Sequence, residues 1–432
     1  MILEYISLVL GSAVLIFIMF FWSARIREMV EDVKGFPVLD PVNKTCLPAS
    51  PPLVSLIVPA HNEQDLISTC LRSIIDQDYP NLEIICVDDR SVDRTAEIVS
   101  ELFRGRLNCR LVSIKERLSG WTGKCHALNE AVKHAKGEWF AFVDADSSLH
   151  GSALKQCMDE ALRRKVDLIT LSPKFVLNTF WERALVPTFA AMAAILFPFA
   201  KVNDPHSSVA TANGMFLIIS RLAYETIGGH CNVKDLAVED IGIGKRVKAA
   251  GFSILFANGR NLLRTRMYSD FHEILDGWTR ILSAAMNYRL SVVLRYLSMH
   301  VLVSLPSFAI SVFLYSQTAM KIWPTLWFLA PLVCFIQMVV ASNLFFDQLG
   351  LPRRLSIYVA IGNLMLIWIF AVMVKKILCT DALQWRGTTY QYTRYQPKYL
   401  EPSEPEQFKS HTRFRALTTV NEPETSERPL TS

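Results

Sequence analysis

The chain has 432 residues, room for one large domain or two ordinary ones. Apolar residues make up 51% of it, more than a water-soluble enzyme usually carries, so membrane segments are the first feature to seek. A formal charge of +5 is too mild for a nucleic-acid binder, and it fits an ordinary basic surface as well as one resting on anionic lipid headgroups. Nine cysteines are scattered without a CxxC pair or a metal-ligand spacing. Cys70, Cys86 and Cys334 lie inside apolar runs, where cysteine acts as a small hydrophobe. These features indicate a reduced chain whose polar part faces the cytosol.

Tyr5 to Trp22 carries no charge, and Ser23-Ala24-Arg25-Ile26-Arg27 follows it in place of a small-residue cleavage site. Residues 1–24 therefore read as an uncleaved transmembrane anchor. From about residue 52 to 292 the chain turns mixed and polar. Val54 to Pro59, Leu82 to Val87 and Trp139 to Val143 read as strands. Ile67, Leu71, Ile74 and Ile75 form a helical stripe between the first two. Ala96, Val99 and Phe103 form a second, and Ala127, Leu128, Ala131, Val132 and Ala135 a third. Such alternation implies a mostly parallel, Rossmann-like sheet covered by helices, with ligands bound beyond the carboxyl ends of the strands. The apolar stretch 184–200, with Pro187 and Pro198, is short for a span; an interfacial helix and a buried core helix are equal readings.

Three further apolar segments, Tyr296 to Tyr315, Trp323 to Phe346 and Leu355 to Val374, place three transmembrane helices within 294–376. Trp22, Tyr296, Tyr315 and Trp323 mark their ends. Arg25, Arg27 and Lys34 after the first span place the catalytic block in the cytosol, so the expectation is a multi-pass protein of the cell (inner) membrane. Arg353 and Arg354 then fall on the cytosolic side, whereas simple counting puts Lys375, Lys376 and Arg386 outside. Either one segment does not cross, the Pro306-interrupted one being weakest, or the tail is external. Residues 397–432, rich in Pro, Glu, Ser and Thr, have little to bury and are expected to be disordered.

Three strand ends finish in polar clusters: Pro59-Ala60-His61-Asn62-Glu63, Asp88-Asp89-Arg90-Ser91-Val92-Asp93 and Asp144-Ala145-Asp146. One acidic strand end is commonplace, and Asp93 alone reads equally as a helix cap. Three on one edge crowd carboxylates where they repel, which suggests a cation. Asp144 and Asp146 suit Mg²⁺ or Mn²⁺ shared with a diphosphate. Asp88 or Asp89 is the acceptor for hydrogen bonds from a nucleotide base. Lys124 follows Gly120 and Gly123 at a helix start, where it reaches a diphosphate or is merely solvated. His126, His134, His206 and His272 show no metal spacing and read as surface or structural residues.

These motifs resemble family 2 glycosyltransferases of the GT-A fold. Pro59 to Glu63 matches the P-x-x-N-E element, Val87 to Asp93 the V-D-D-x-S-x-D element, Asp144 and Asp146 the metal-binding D-x-D, and Glu239-Asp240 the E-D pair before a helix. Gly120-Trp121-Thr122-Gly123-Lys124, Trp181-Glu182, Val202-Asn203-Asp204-Pro205 and Trp385-Arg386-Gly387 resemble the hopene-associated and carotenoid-type membrane members. The resemblance implies a nucleotide-diphosphate sugar donor bound by Pro59, His61, Glu63, Asp88, Asp89, Lys124 and Asp144. It implies a divalent cation on Asp144 and Asp146, and Asp240 as the general base. Glu239, Trp278 and Arg280 are expected on the acceptor side. Adjacent side chains are expected to diverge, leaving Glu239 turned from the donor.

The expected reaction is inverting transfer of one sugar to a lipid, possible acceptors being an isoprenoid, a hopanoid or a carotenoid. Processive polysaccharide synthases of the family carry Q-x-x-R-W. Gly277-Trp278-Thr279-Arg280-Ile281 keeps the Arg and lacks the Gln and the following Trp, which favours a single transfer. A polysaccharide synthase with a divergent motif and a non-catalytic membrane scaffold are the rival readings. A dehydrogenase is excluded because no GxGxxG follows the first strand.

Overall fold

The computed structural model describes residues 2–268, 270–304, 324–379, 382–385 and 388–391. The helix α1 (Ile2–Lys34) leads into β1 (Val54–Ala60), α2 (Ile67–Ile75), β2 (Leu82–Asp89), α3 (Thr95–Phe103), β3 (Cys109–Ile114), α4 (Gly123–Val132) and β4 (Trp139–Val143). Next come β5 (Ser147–Leu149), α5 (Ala153–Arg164), β6 (Leu168–Ser172), β7 (Lys174–Phe175), α6 (Phe180–Leu196) and α7 (Phe199–Asn203). Then follow β8 (Phe216–Ser220), α8 (Arg221–Thr226), α9 (Glu239–Ala249), β9 (Ile254–Asn258), β10 (Leu263–Thr265), α10 (Phe271–Ala285) and α11 (Leu290–Ser304). The last described elements are α12 (Pro324–Gln348), α13 (Val359–Cys379) and the hairpin β11 (Ala382–Trp385) with β12 (Thr388–Gln391).

Seven strands form one sheet in the order β3-β2-β1-β4-β8-β6-β9. All its pairings are parallel except the two that β8 makes with β4 and β6. A parallel neighbour needs a crossover, which is why a helix follows each of β1, β2 and β3. Side chains alternate across β1: Ile57 joins the core on one face, Leu56 and Val58 the core on the other. Both faces are thus buried, as a parallel sheet requires. Ile67, Leu71 and Ile74 of the expected stripe are fully buried. A second sheet, β5-β10-β7, closes one edge of the site.

One of these cores runs on through Phe189 of α6 and Trp278 of α10 into Phe346 of α12 and Phe370 of α13. A Cβ on Gly362 would collide with Thr188, so α13 lies directly on α6. The 184–200 stretch splits into the end of α6, a break at Pro198 and the start of α7. Ala184, Leu185, Val186, Phe189 and Met192 are buried, so this stretch belongs to the core.

The end of α1 is docked as well. Asp32 accepts from the backbone N–H groups of Phe199 (3.0 Å) and Ala200 (2.7 Å). Phe36 stacks on Phe199 with ring centres 3.8 Å apart. Among the described residues, one helical stretch, Arg353–Cys379, is long and apolar enough to cross a bilayer, and a shorter apolar helix covers Leu290–Val301. The expected span Leu355 to Val374 falls within the first, although Leu355 sits in a 3-10 turn ahead of α13. The segment from Tyr296 to Tyr315 runs beyond the described residues. So do Trp323, Arg386, Gly387 and the 397–432 tail.

Candidate active site

The parallel register sets Ala60 beside Asp88, so the loops after β1 and β2 emerge together. Asn62 and Arg90 both take left-handed backbone, φ 55° and 61°, turning each loop sharply over the strand ends. The two loops are stitched to one another. His61 Nδ1 donates to the Asp89 carbonyl (2.5 Å), Glu63 N to Thr95 Oγ1 (2.8 Å) and Gln64 N to Asp93 Oδ2 (3.1 Å). Asp93 Oδ1 also accepts from Thr95 N (3.0 Å), so Asp93 holds the start of α3 and the first loop at once.

Asp89 and Asp88 part company. Arg90 grips the Asp89 carboxylate at 2.7 and 3.0 Å, and Asp89 lines a cavity of about 420 Å³. Asp88 Oδ1 instead accepts from Ser91 N (3.3 Å), and Asp88 is not on the cavity wall. Gly123 lets α4 begin against Asp89, whose Oδ2 would lie 2.6 Å from a Cβ there. Thr122 caps that helix by accepting from Cys125 N (3.2 Å). Lys124 is therefore fixed in its first turn.

Lys124 is the electrostatic centre. Its Nζ lies 2.6 Å from Asp144 Oδ1 and 2.7 Å from Glu239 Oε1. Burial works against its charge, but Asp144, Glu239 and Asp240 outweigh burial and hold the ammonium well above its ordinary range. Burial raises Asp144, with Lys124 opposing it. Asp146 is pushed up to about 7, by burial first and then by Asp144 and Glu63. Its Oδ1 accepts from Ser147 Oγ (3.2 Å) and Thr265 Oγ1 (3.4 Å). An added cation is what lets Asp144 and Asp146 ionise together, so these residues fit Mg²⁺ or Mn²⁺. Among the described residues no three His, Cys, Asp or Glu side chains form a ready cage.

Glu239 and Asp240 open α9, and both line the cavity. Although both line it, the adjacent carboxylates take different partners: Glu239 Oε1 meets Lys124 Nζ, and Asp240 accepts from backbone N–H groups. Glu239 is held low: burial raises it, and its pairing with Lys124 more than offsets that. Asp240 is raised to about 6 by burial and then by the Glu239 charge. Its oxygens accept from Gly214 N (2.6 Å) and Ile241 N (2.7 Å).

Pro59, His61, Glu63, Trp278 and Arg280 also line the cavity. Arg280 Nη1 donates to the Ala237 carbonyl (2.5 Å), tying α10 to the approach to α9. His134, His206 and His272 are exposed, and His126 is buried beside Trp121 with ring centres 5.8 Å apart. Glu182 forms a capping box with Thr179 and accepts from Arg266 Nε (2.8 Å), just ahead of Met267 and Tyr268 of the cavity wall, which follow β10.

Sequence reasoning missed the Asn213–Gly214 turn and Ser172. Asn213 Nδ2 donates to the Leu171 carbonyl (2.7 Å), locking that turn to the end of β6. An Asn-Gly pair before a β-branched run was the available signal. His230 was missed too; it is buried at the back of the site and held down at about 4, by burial first.

Residues 55–228 match the family described as Glycosyl transferase family 2. The chain carries a family 2 glycosyltransferase domain. It is 26% identical over 234 residues to the 4,4'-diaponeurosporenoate glycosyltransferase of Staphylococcus aureus strain USA300, a match that spans 53% of this chain and 60% of that relative's length. A mannosyltransferase of Pyrobaculum calidifontis, solved in complex with GDP-Man and Mn2+, aligns over 87% of this chain and 99% of its own at 18% identity and a TM-score of 0.47. Staphylococcus aureus TarS residues 1–349 with UDP-GlcNAc align over 78% of this chain and 95% of their own at 16% identity and a TM-score of 0.37. The matched residues 55–228 hold β2, β3, β4, β6, β8 and nearly all of β1, together with Asp89, Lys124, Asp144 and Asp146; β9, Glu239 and Asp240 follow them in the chain.

Proposed function

We propose that the chain is a membrane-bound, inverting glycosyltransferase that moves one sugar from a nucleotide-diphosphate sugar to a lipid acceptor, of the carotenoid type named for its Staphylococcus aureus relative. One observation carries the reading: a single cavity joins Asp89, Lys124, Asp144, Asp146 and Asp240 to an apolar wall. In this reading residues 1–24 anchor the chain, 52–292 are the catalytic domain and 294–376 return it to the bilayer. The membrane part is supported by large apolar side chains left in the open, among them Phe20 of α1, Leu332 of α12 and Trp368 of α13.

Asp89 accepts from the nucleotide base, and Lys124 turns from its carboxylate partners to the diphosphate. Asp144 and Asp146 would hold a Mg²⁺ or Mn²⁺, which would supply positive charge for the departing nucleoside diphosphate. Asp240 removes the proton from the acceptor oxygen as that oxygen bonds to the sugar carbon and the bond to the diphosphate breaks. Glu239 keeps Lys124 charged and placed.

A donor screen with the full-length protein in lipid tests this, reading released nucleoside diphosphate and then the mass of the lipid product. Turnover is expected to vanish with excess chelator and in Asp146→Ala. Full activity without divalent cation sinks the metal assignment. A polymeric product instead of a singly glycosylated lipid establishes the polysaccharide-synthase reading.

A further inference from the structure

The helix α7 is five residues long, Phe199–Asn203, too short to persist on its own backbone bonds. Each of its ends is held by a side chain from another helix. At the start, Asp32 of α1 accepts from Phe199 N (3.0 Å) and Ala200 N (2.7 Å). At the finish, Lys248 Nζ of α9 donates to the carbonyls of Lys201 (2.9 Å) and Val202 (2.7 Å). These are backbone groups of the kind that helix ends leave unpaired. Asn203 adds a tie to the chain just past α1, donating from Nδ2 to the Gly35 carbonyl (2.8 Å). The contact is close: a Cβ on Gly35 would stand 2.6 Å from the Cβ of Ala200. α7 is thus a short bridge from α1 to α9.

Lys248 makes a third bond. Its Nζ also donates to the Val209 carbonyl (2.7 Å), so all three of its N–H groups are spent on backbone oxygens and none is left for a ligand. Val209 belongs to the stretch 204–214, which returns to the carboxylates. That stretch lies on α9 at Thr211 and Ala212, whose backbone would collide with a Cβ on Gly244. It ends where Gly214 N donates to Asp240 Oδ2 (2.6 Å). Lys248 and Asp240 stand at opposite ends of α9, roughly 12 Å apart along the helix. α9 therefore holds 204–214 at two places, and one of the two holds is the catalytic carboxylate.

We propose that Asp32 and Lys248 are positioning residues for Asp240: through α7 they tie the end of α1 to the stretch that donates Gly214 N, so the aim of the base depends on how the anchor helix is docked. The inference rests on the glycosyl-transfer reading, in which α1 is the anchor and Asp240 the base. Neither Asp32 nor Lys248 lines the cavity. The donor contacts Asp89, Lys124 and Asp144 stand at the end of β2, at the start of α4 and just after β4, so their geometry does not run through α7. Displacing the bridge should slow transfer and spare the affinity for nucleotide.

The test uses the full-length protein in phosphatidylcholine nanodiscs and two variants. Asp32→Asn keeps the shape and leaves one acceptor oxygen of two; Lys248→Met keeps the length and removes the donors. Hydrogen–deuterium exchange of peptides covering 204–214 needs no substrate. It is expected to rise about fivefold or more in Asp32→Asn, although the bonds of Asp32 itself are to Phe199 and Ala200. UDP and GDP, each with Mn²⁺, serve as binding probes. Affinity for whichever binds should stay within about twofold of wild type, while kcat falls about tenfold in Asp32→Asn and about thirtyfold in Lys248→Met. The double variant separates a shared route from two local effects. Its kcat should match that of Lys248→Met alone; a loss equal to the product of the two single losses overturns the linkage. If thermal unfolding shows that Lys248→Met is not folded, Asp32→Asn decides alone. Unchanged exchange across 204–214, unchanged kcat, or kcat and nucleotide affinity falling together overturns the proposal. Exchange that rises as expected in a protein that turns over no nucleotide sugar leaves the linkage standing and removes the glycosyl-transfer reading.

Discussion

Glu239 and Asp240 are neighbours with opposite electrostatic fates. Lys124 at 2.7 Å keeps Glu239 ionised, while burial and the Glu239 charge lift Asp240 to about 6. Only the carboxylate form of Asp240 can take a proton, so transfer is expected to fall as pH drops through about 6 and to level off above it. Glu239→Gln removes a negative charge that raises Asp240. The acid limb should therefore move to lower pH, which a pH profile of kcat/KM reads directly; an unmoved limb means that Glu239 does not set it. Asp240→Asn should keep nucleotide binding and lose roughly 10²–10⁴-fold in transfer, the usual size of a general-base contribution. If Asp240→Asn transfers normally, or Glu239→Gln is the dead variant, the base is misassigned. The sequence carried both carboxylates but not their partners, Lys124 for Glu239 and the Gly214 and Ile241 N–H groups for Asp240, which come from distant or backbone positions that no motif spells out.

At the scale of elements, α9 begins Glu239-Asp240-Ile241-Gly242-Ile243-Gly244, and the glycines explain its position. A Cβ on Gly244 would stand 2.6 Å from the Thr211 carbonyl carbon and 2.8 Å from Ala212 N, both backbone. A Cβ on Gly242 would meet the side-chain methyls of Leu236 (2.5 Å) and Val233 (2.9 Å), which yield more easily. Gly244→Ala should push α9 off the turn that donates Gly214 N to Asp240 and cost up to about 10²-fold in kcat, with Gly242→Ala milder. Equal kcat in both variants would refute this account. At the opposite wall Glu182 is 1% exposed and serves a capping box and Arg266. Glu182→Ala should destabilise by about 2–4 kcal/mol, since it leaves backbone donors and a guanidinium short of an acceptor; thermal unfolding measures it. The parallel strands β1, β2 and β4 were legible because two buried faces force continuous apolar runs, Val54 to Pro59 being expected where β1 is Val54–Ala60, whereas β3, β6 and β9 were not anticipated. β8 was not, since a run such as Phe216 to Ser220 does not declare its direction, nor that it pairs with β4 and β6. The Asn213–Gly214 turn has no periodicity at all, and its role appears only once Asp240 reaches it.

Across the whole molecule, the apolar core does not end at the catalytic sheet. α13 buries Leu366, Ile369, Phe370 and Met373 inward and exposes Leu364 and Trp368 outward, so one helix serves the domain and its surroundings together. That arrangement is physically sensible for a helix bordered by lipid, where an exposed apolar face carries no hydration cost. The Arg353–Cys379 stretch has 27 residues. Its α-helical part, α13, has 21 residues and at 1.5 Å per residue reaches about 31 Å, close to a hydrocarbon core of roughly 30 Å. In the proposed arrangement Arg353 and Arg354 put its beginning on the cytosolic side, together with the catalytic domain behind Arg25, Arg27 and Lys34. Cys231 and Cys379 are both exposed and lie on opposite sides of this stretch in the proposed arrangement. With Cys46 and Cys334 replaced and one of the two retained, an impermeant thiol reagent should leave Cys231 unlabelled in intact cells and modify it after permeabilisation. Cys379 should be modified in intact cells if α13 crosses. Labelling of Cys231 from outside reverses the orientation. Protection of Cys379 means that α13 lies along the cytosolic face, and Lys375 and Lys376 then obey the same charge bias as Arg25 and Arg27.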